Sequence, residues 1–154
     1  MAADILSMKI LNMYNRTVKM DRLKMSIAID ISALIAVIAN EQQKQKLVDT
    51  TKGADLIAPH SVHWEIGNAF SALFNRRKAD LNQTLAAIAA YQQIPIRFVE
   101  VDLVPALNLS LSLNIDAYEA YIIACALKYN CPLLSLDHQL LAVAEKAGAK
   151  IIKV

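Results

Sequence analysis

The stretch Ser26-Ile27-Ala28-Ile29-Asp30-Ile31-Ser32-Ala33-Leu34-Ile35 changes rhythm around a single acid. Ile27, Ala28 and Ile29 make a short, unbroken β-prone run, suited to a strand buried on both faces. From Ser32 to Asn40 the pattern becomes helical. Asp30 stands at the junction. The same arrangement recurs near the other end of the chain: Leu133-Leu134-Ser135-Leu136 runs into Asp137, and a helix is predicted from Gln139 to Ala147, stopped by Gly148.

Between these two junctions, apolar runs and helical periods alternate. A polar helix is predicted from Glu41 to about Lys52, closed by Gly53, then a strand Leu56-Ile57-Ala58 ended by Pro59. Ser61 can cap a helix reaching about Lys78, and another spans Leu81 to Gln93. Ile96 to Val101 reads as the third strand, Leu103 to Leu113 and Asp116 to Tyr129 as helices, and Ala149 to Val154 as the closing strand. Strands separated by helices require right-handed crossovers, and hence a mainly parallel sheet covered on both faces. One α/β domain is expected over 25–154. Residues 1–24 are Met-rich and basic without a strand pattern, and read as an N-terminal extension.

The 154 residues suffice for a core without disulfide or metal staples, and the 56% apolar content excludes a disordered chain. A net charge of +2 is nearly neutral, so nucleic-acid binding has to rest on how charge is distributed. The two cysteines, Cys125 and Cys131, have no zinc spacing and sit in apolar surroundings, as small buried hydrophobes do. Met25 to Ala39 resembles a signal core, but Asp30 inside it is costly for insertion, and no apolar run reaches the length of a membrane span. The expected compartment is the cytoplasm. With three glycines, at 53, 67 and 148, the chain has neither a dinucleotide-binding turn nor a Walker A loop. No G-x-S-x-G elbow occurs either. The chemistry has to come from side chains.

Four carboxylates are the candidates. Ligands of open parallel sheets bind beyond the carboxyl ends of the strands, which is where Asp30 and Asp137 would converge. Glu65, within His63-Trp64-Glu65-Ile66-Gly67-Asn68-Ala69, lies on the first turns of its helix, where the dipole also favours an anion. Glu119 ends Asp116-Ala117-Tyr118-Glu119, which has the form of a capping box with Asp116 as N-cap. Asp116 is a further candidate ligand on the same face. Carboxylates gathered together repel unless a counter-charge joins them, and hard ions such as Mg²⁺ or Mn²⁺ prefer such oxygen ligands. Arg76-Arg77-Lys78 ends the helix that carries Glu65. These residues suit a phosphate clamp or simply a helix C-terminus. His60, His63 and His138 read as loop and helix-start residues.

The segments around Asp30 and Ser32, around Glu65 and Asn68, around Glu119 and Tyr121, and around Ser135 and Asp137 occur in the order found in PIN domains. The chain resembles the VapC toxin branch of that family over 25–154. The resemblance implies a PIN-like three-layer α/β/α fold and a Mg²⁺- or Mn²⁺-dependent endoribonuclease. It also implies a homodimer silenced by a cognate VapB-type antitoxin. Asp30, Glu65 and Asp137 match the first, second and fourth family carboxylates. The third is normally Asp in a Tyr-Asp-Ala-x-Tyr setting, and here it is Glu119, one methylene longer, with Asp116 as a substitute. Ser32 and Ser135 match the hydroxyl positions beside the acids, and Arg76, Arg77 and Lys78 are the expected RNA contacts. The alternative is a PIN relative with weak or no catalysis, acting as an RNA- or protein-binding module. A haloacid-dehalogenase-type phosphatase needs a second Asp two residues after the first, where this chain has Ser32. For a homodimer, the apolar helices Ile31 to Asn40 and Thr84 to Tyr91 are candidate faces, although either can equally be core.

Overall fold

Ile27 and Ala28 are fully buried and Ile29 nearly so, because their strand sits in the middle of a sheet covered on both faces. The computed structural model describes residues 24–154. The expected extension, 1–24, lies outside them apart from its last residue. The elements are β1 (Ser26–Ile29), α1 (Ile31–Ile38), α2 (Lys44–Thr51), β2 (Asp55–Pro59), α3 (His60–Asn75) and α4 (Leu81–Gln92). They continue with β3 (Ile96–Val99), α5 (Leu103–Leu113), α6 (Ala117–Lys128), β4 (Leu133–Leu134), α7 (His138–Lys146) and β5 (Ile151–Ile152).

The five strands form one sheet in the order β3-β2-β1-β4-β5, and every pairing is parallel. The expected three-layer α/β/α architecture is present, with the sheet parallel throughout. The sheet winds outward from β1 in one direction through β2 and β3, and in the other through β4 and β5. The order therefore reverses between β1 and β4, and a crevice opens at such a switch point beyond the strand ends. In the register, Ile29 pairs with Leu134, which places Asp30 beside Ser135. Asp30 N–H extends the ladder by donating to Leu134 O at 3.0 Å.

The core is continuous across both faces of the sheet. It includes Ile27, Leu34, Ile57, Ile123, Leu133 and Leu141, all fully buried or nearly so. Burying side chains of this size contributes roughly 1.5–3 kcal/mol each. Cys125 and Cys131 are buried free thiols, as expected, and burial pushes the Cys125 thiol up to about 12.

Several boundaries differ from expectation. β3 and β5 are shorter than the apolar runs, and β4 keeps only Leu133 and Leu134 because Ser135 and Leu136 make side-chain-mediated bonds instead. α3 begins at His60 with Pro59 as its N-cap, not with Ser61 capping it. Pro has no N–H to leave unpaired where the strand gives way to the helix. α3 ends at Asn75, so Arg76, Arg77 and Lys78 lie beyond the helix, with Arg77 in the left-handed region at φ 51°. α7 stops where expected, at the positive φ of Gly148.

Candidate functional site

Asp30 leaves β1 and immediately caps α1. It is 7% exposed, one of very few polar side chains buried among the described residues. One oxygen, Oδ2, accepts three hydrogen bonds: from Ser32 N–H at 3.1 Å, from the Ser32 hydroxyl at 2.6 Å and from the Ser135 hydroxyl at 2.9 Å. The two hydroxyls lie 3.0 Å apart, and each has a further partner. Ser32 Oγ also accepts from Leu136 N–H at 2.9 Å, and Ser135 Oγ accepts from Asp137 N–H at 3.0 Å. A buried carboxylate is tolerated only with such partners. The two serines therefore lock Asp30 and, through the same bonds, fix the course of the chain between β4 and Asp137.

Asp137 caps α7, its Oδ1 accepting from Gln139 N–H at 2.8 Å and Leu140 N–H at 3.1 Å. On α6 the expected capping box is formed. Asp116 Oδ1 accepts from Glu119 N–H at 2.9 Å, and Glu119 Oε2 accepts from Asp116 N–H at 3.3 Å. Asp30, Asp116, Glu119 and Asp137 thus each commit one carboxylate oxygen to a helix start. The other oxygen has no hydrogen bond among the described residues. These starts belong to α1, α6 and α7, whose dipoles put partial positive charge at the same edge.

Glu65 stands one turn into α3, half-buried. Burial raises its carboxyl above the ordinary value, and the charges of Asp30 and Asp116 push in the same direction. The Ser61 hydroxyl opposes them. It lies close enough to favour the carboxylate electrostatically, but its buried Oγ makes no hydrogen bond of proper geometry. The structure therefore brings Glu65 within electrostatic reach of Asp30 and Asp116. It does not gather three of the His, Cys, Asp and Glu side chains among the described residues into a ready-made metal cage.

A family model for the PIN domain matches residues 27–146, a span that contains all four carboxylates. The chain belongs to the PIN-domain family. PIN domains are typically nucleases that use divalent metals. No curated protein matches the sequence. Among solved structures, the chain is similar to a protein from Pyrobaculum aerophilum, with TM-score 0.63 and 21% identity over 84% of this chain and 92% of that one. It is similar to VapC20 from Mycobacterium tuberculosis, described as a sarcin–ricin-loop-cleaving toxin (TM-score 0.57, 19% identity, 83% and 99% coverage). VapBC2 from Rickettsia felis, solved with a DNA fragment from its promoter, is a further relative in fold (TM-score 0.61, 10% identity, 83% and 98% coverage).

Arg76, Arg77 and Lys78 are exposed and enter none of the ion pairs among the described residues. They lie eleven to thirteen positions beyond Glu65. α3 runs on from Glu65 to Asn75, about 15 Å along its axis, and the three cations follow on the turn beyond. The two helices expected as candidate dimer faces divide differently. α1 buries Ala33, Leu34 and Ala36 in the core, and α4 buries Thr84 and Tyr91 while leaving Leu85 exposed. The apolar face left open is on α5, where Leu103, Val104, Leu107 and Leu111 are all exposed and only Ala106 is buried. Sequence reading missed this stripe. Its only signal is the four-residue spacing of Leu103, Leu107 and Leu111, which says that they share a face but not which way it points. No helix among the described residues is long and apolar enough to cross a membrane.

Proposed function

We propose that this PIN domain is a divalent-metal-dependent endoribonuclease, and that it is the toxin of a VapBC-type pair, acting in the cytoplasm. The observation that carries the reading is Asp30, a buried carboxylate locked by Ser32 and Ser135 at the switch point between β1 and β4, with Glu65 electrically coupled to it. Its donor set is all oxygen, which suits Mg²⁺ or Mn²⁺ and not zinc. Asp30, Glu65, Glu119 and Asp137 would hold the ion, with Asp116 as a further ligand. Such an ion, when bound, activates water and stabilises the leaving oxygen of a phosphodiester. The chain's own contribution is to fix Asp30 through the serine pair, and to supply uncommitted oxygens from groups already held at helix starts. Arg76, Arg77 and Lys78 would take phosphates of the RNA further along the strand.

Residues 25–154 are proposed to be the catalytic unit, paired as a homodimer through the α5 stripe and silenced by a VapB-type antitoxin. The stripe supports a second copy as its occupant because it carries no charge of its own, and an apolar face can meet itself across a two-fold axis. Leu107→Glu is expected to turn a dimer into a monomer in light scattering. A dimer persisting unchanged assigns the contact elsewhere.

A second reading, a PIN relative with weak chemistry that binds RNA or protein, draws on Glu119, whose carboxylate is engaged in the capping box. Incubation of the full chain with RNA and Mn²⁺ or Mg²⁺, beside an Asp30→Asn control, separates the two. Metal-dependent cutting lost in the control supports the nuclease. Cutting that survives both the substitution and a chelator sinks the metal mechanism. A wild type that binds RNA but never cuts favours the binding module.

A further inference from the structure

Trp64 is the only tryptophan in the chain, and it is 72% exposed. It immediately precedes Glu65 on α3, which starts at the carboxyl end of β2. Helical side chains lean toward the helix N-terminus, so the indole leans toward the edge of the sheet at which β2 ends. Tryptophan is on average among the well-buried side chains, so this exposure stands out.

The indole is held in place. The His63 ring packs edge-on against it, with centroids 4.9 Å apart. His63 is in turn fixed by a hydrogen bond between its Nδ1 and the buried Tyr91 hydroxyl at 3.1 Å, and by an edge contact with Phe98 on β3. A rigid aromatic loses little conformational freedom on binding.

Its surroundings distinguish it from the α5 stripe. One turn further along α3 are Gly67 and Asn68, both exposed, and nothing lies within 4 Å of where a Gly67 Cβ would stand. The indole is thus a lone aromatic with a flat, open strip beside it, whereas the α5 residues form a continuous apolar face. Just beyond the far end of the same helix are Arg76, Arg77 and Lys78, which enter no ion pair among the described residues. An exposed aromatic on a helix that ends in a run of cations is the chemistry that binds single-stranded nucleic acid, because bases stack and phosphates pair.

We propose that Trp64 is a stacking platform for an unpaired base of the RNA strand whose phosphodiester lies against Asp30 and Glu65. The proposal rests on the ribonuclease reading and names the form of RNA that the site accepts.

The experiment uses the full chain carrying Asp30→Asn, so that the strand survives. A labelled, unstructured oligoribonucleotide is titrated in, and binding is followed both by anisotropy of the label and by Trp64 fluorescence. With a single tryptophan the fluorescence comes from this residue alone. Saturating quenching that tracks the anisotropy is expected, with much less from a duplex of the same length. Adding Trp64→Ala should weaken binding about 5- to 150-fold, the equivalent of losing one base–aromatic stack, while Trp64→Phe retains most of the affinity. Melting temperatures of both variants check that the fold is intact. Anisotropy that saturates while fluorescence stays flat, or an unchanged affinity in Trp64→Ala, overturns the platform and leaves the nuclease reading standing. Absence of any RNA binding removes both. Fluorescence that changes with protein concentration alone, without RNA, assigns Trp64 to a protein interface and likewise overturns the proposal.

Discussion

Asp30 directly follows β1 and Asp137 follows β4 after Ser135 and Leu136, whereas Glu65 and Glu119 ride on the first turns of α3 and α6, and the two pairs are held in different ways. Asp30 is tied by three hydrogen bonds, two of them from hydroxyls that also fix the β4 exit, and Asp137 receives two amides of its own helix. Glu65 has no hydrogen bond of proper geometry, and Glu119 has one long bond to its own cap. The strand-borne acids are placed by ladder and turn geometry. The helix-borne ones are placed by how helices pack on the sheet, and by side chains longer by a methylene. On this account the strand-borne acids are the fixed half of the proposed carboxylate site and the helix-borne acids its adjustable half.

Substitutions on the two halves should therefore differ in kind. Asp30→Asn keeps an N-cap and hence the fold, but it removes the anchored charge. RNA cleavage should fall by more than about 100-fold, a larger loss than supporting residues produce. Ser135→Ala leaves the Asp137 amide without its partner and Asp30 with fewer donors. A stability loss of about 1–3 kcal/mol is expected, together with a metal affinity roughly 10–100-fold weaker. Chemical denaturation and Mn²⁺ titration read these two separately. An unchanged metal affinity would mean that the serine pair is only architecture.

On the adjustable half, Glu119→Gln keeps a residue able to complete the capping box, so stability should hardly move. Metal affinity should drop about tenfold, within the range seen for altered ligand shells. If the affinity stays put while Asp116→Asn abolishes it, the third acid is Asp116. The smallest effect is expected at Glu65, and it depends on pH. Burial and the neighbouring charges raise its folded-state pKa, so its contribution to stability is fully present below the unfolded pKa and is lost as pH rises through the folded one. Glu65→Gln should therefore melt above the wild type at pH 7, and the gain should vanish in acid below about pH 4.3. A variant that melts lower at pH 7 would contradict the origin given for the shift.

The legibility of the chain follows the same division. The parallel α/β fold could be read because Ile27-Ala28-Ile29, Leu56-Ile57-Ala58 and Leu133-Leu134 are apolar without alternation, which only a doubly covered strand tolerates. The capping box on α6 could be read because it is a contact within four residues. Three features could not. That Ser32 and Ser135 meet on the same Asp30 oxygen depends on a register between residues more than a hundred positions apart. That α3 ends at Asn75, leaving the three cations on a turn, depends on Arg77 taking a left-handed backbone, which its residue type does not announce. The open face of α5 was equally hidden, since an apolar helix looks alike whether it faces the core or a partner.

In the proposed nuclease the two halves close on one ion. Mn²⁺ titrated calorimetrically into the full chain, beside Asp30→Asn under the same conditions, measures this. Saturable binding by the wild type that disappears in the variant is the expected result. Equal binding by both proteins, or none by the wild type, would contradict a metal site built on Asp30.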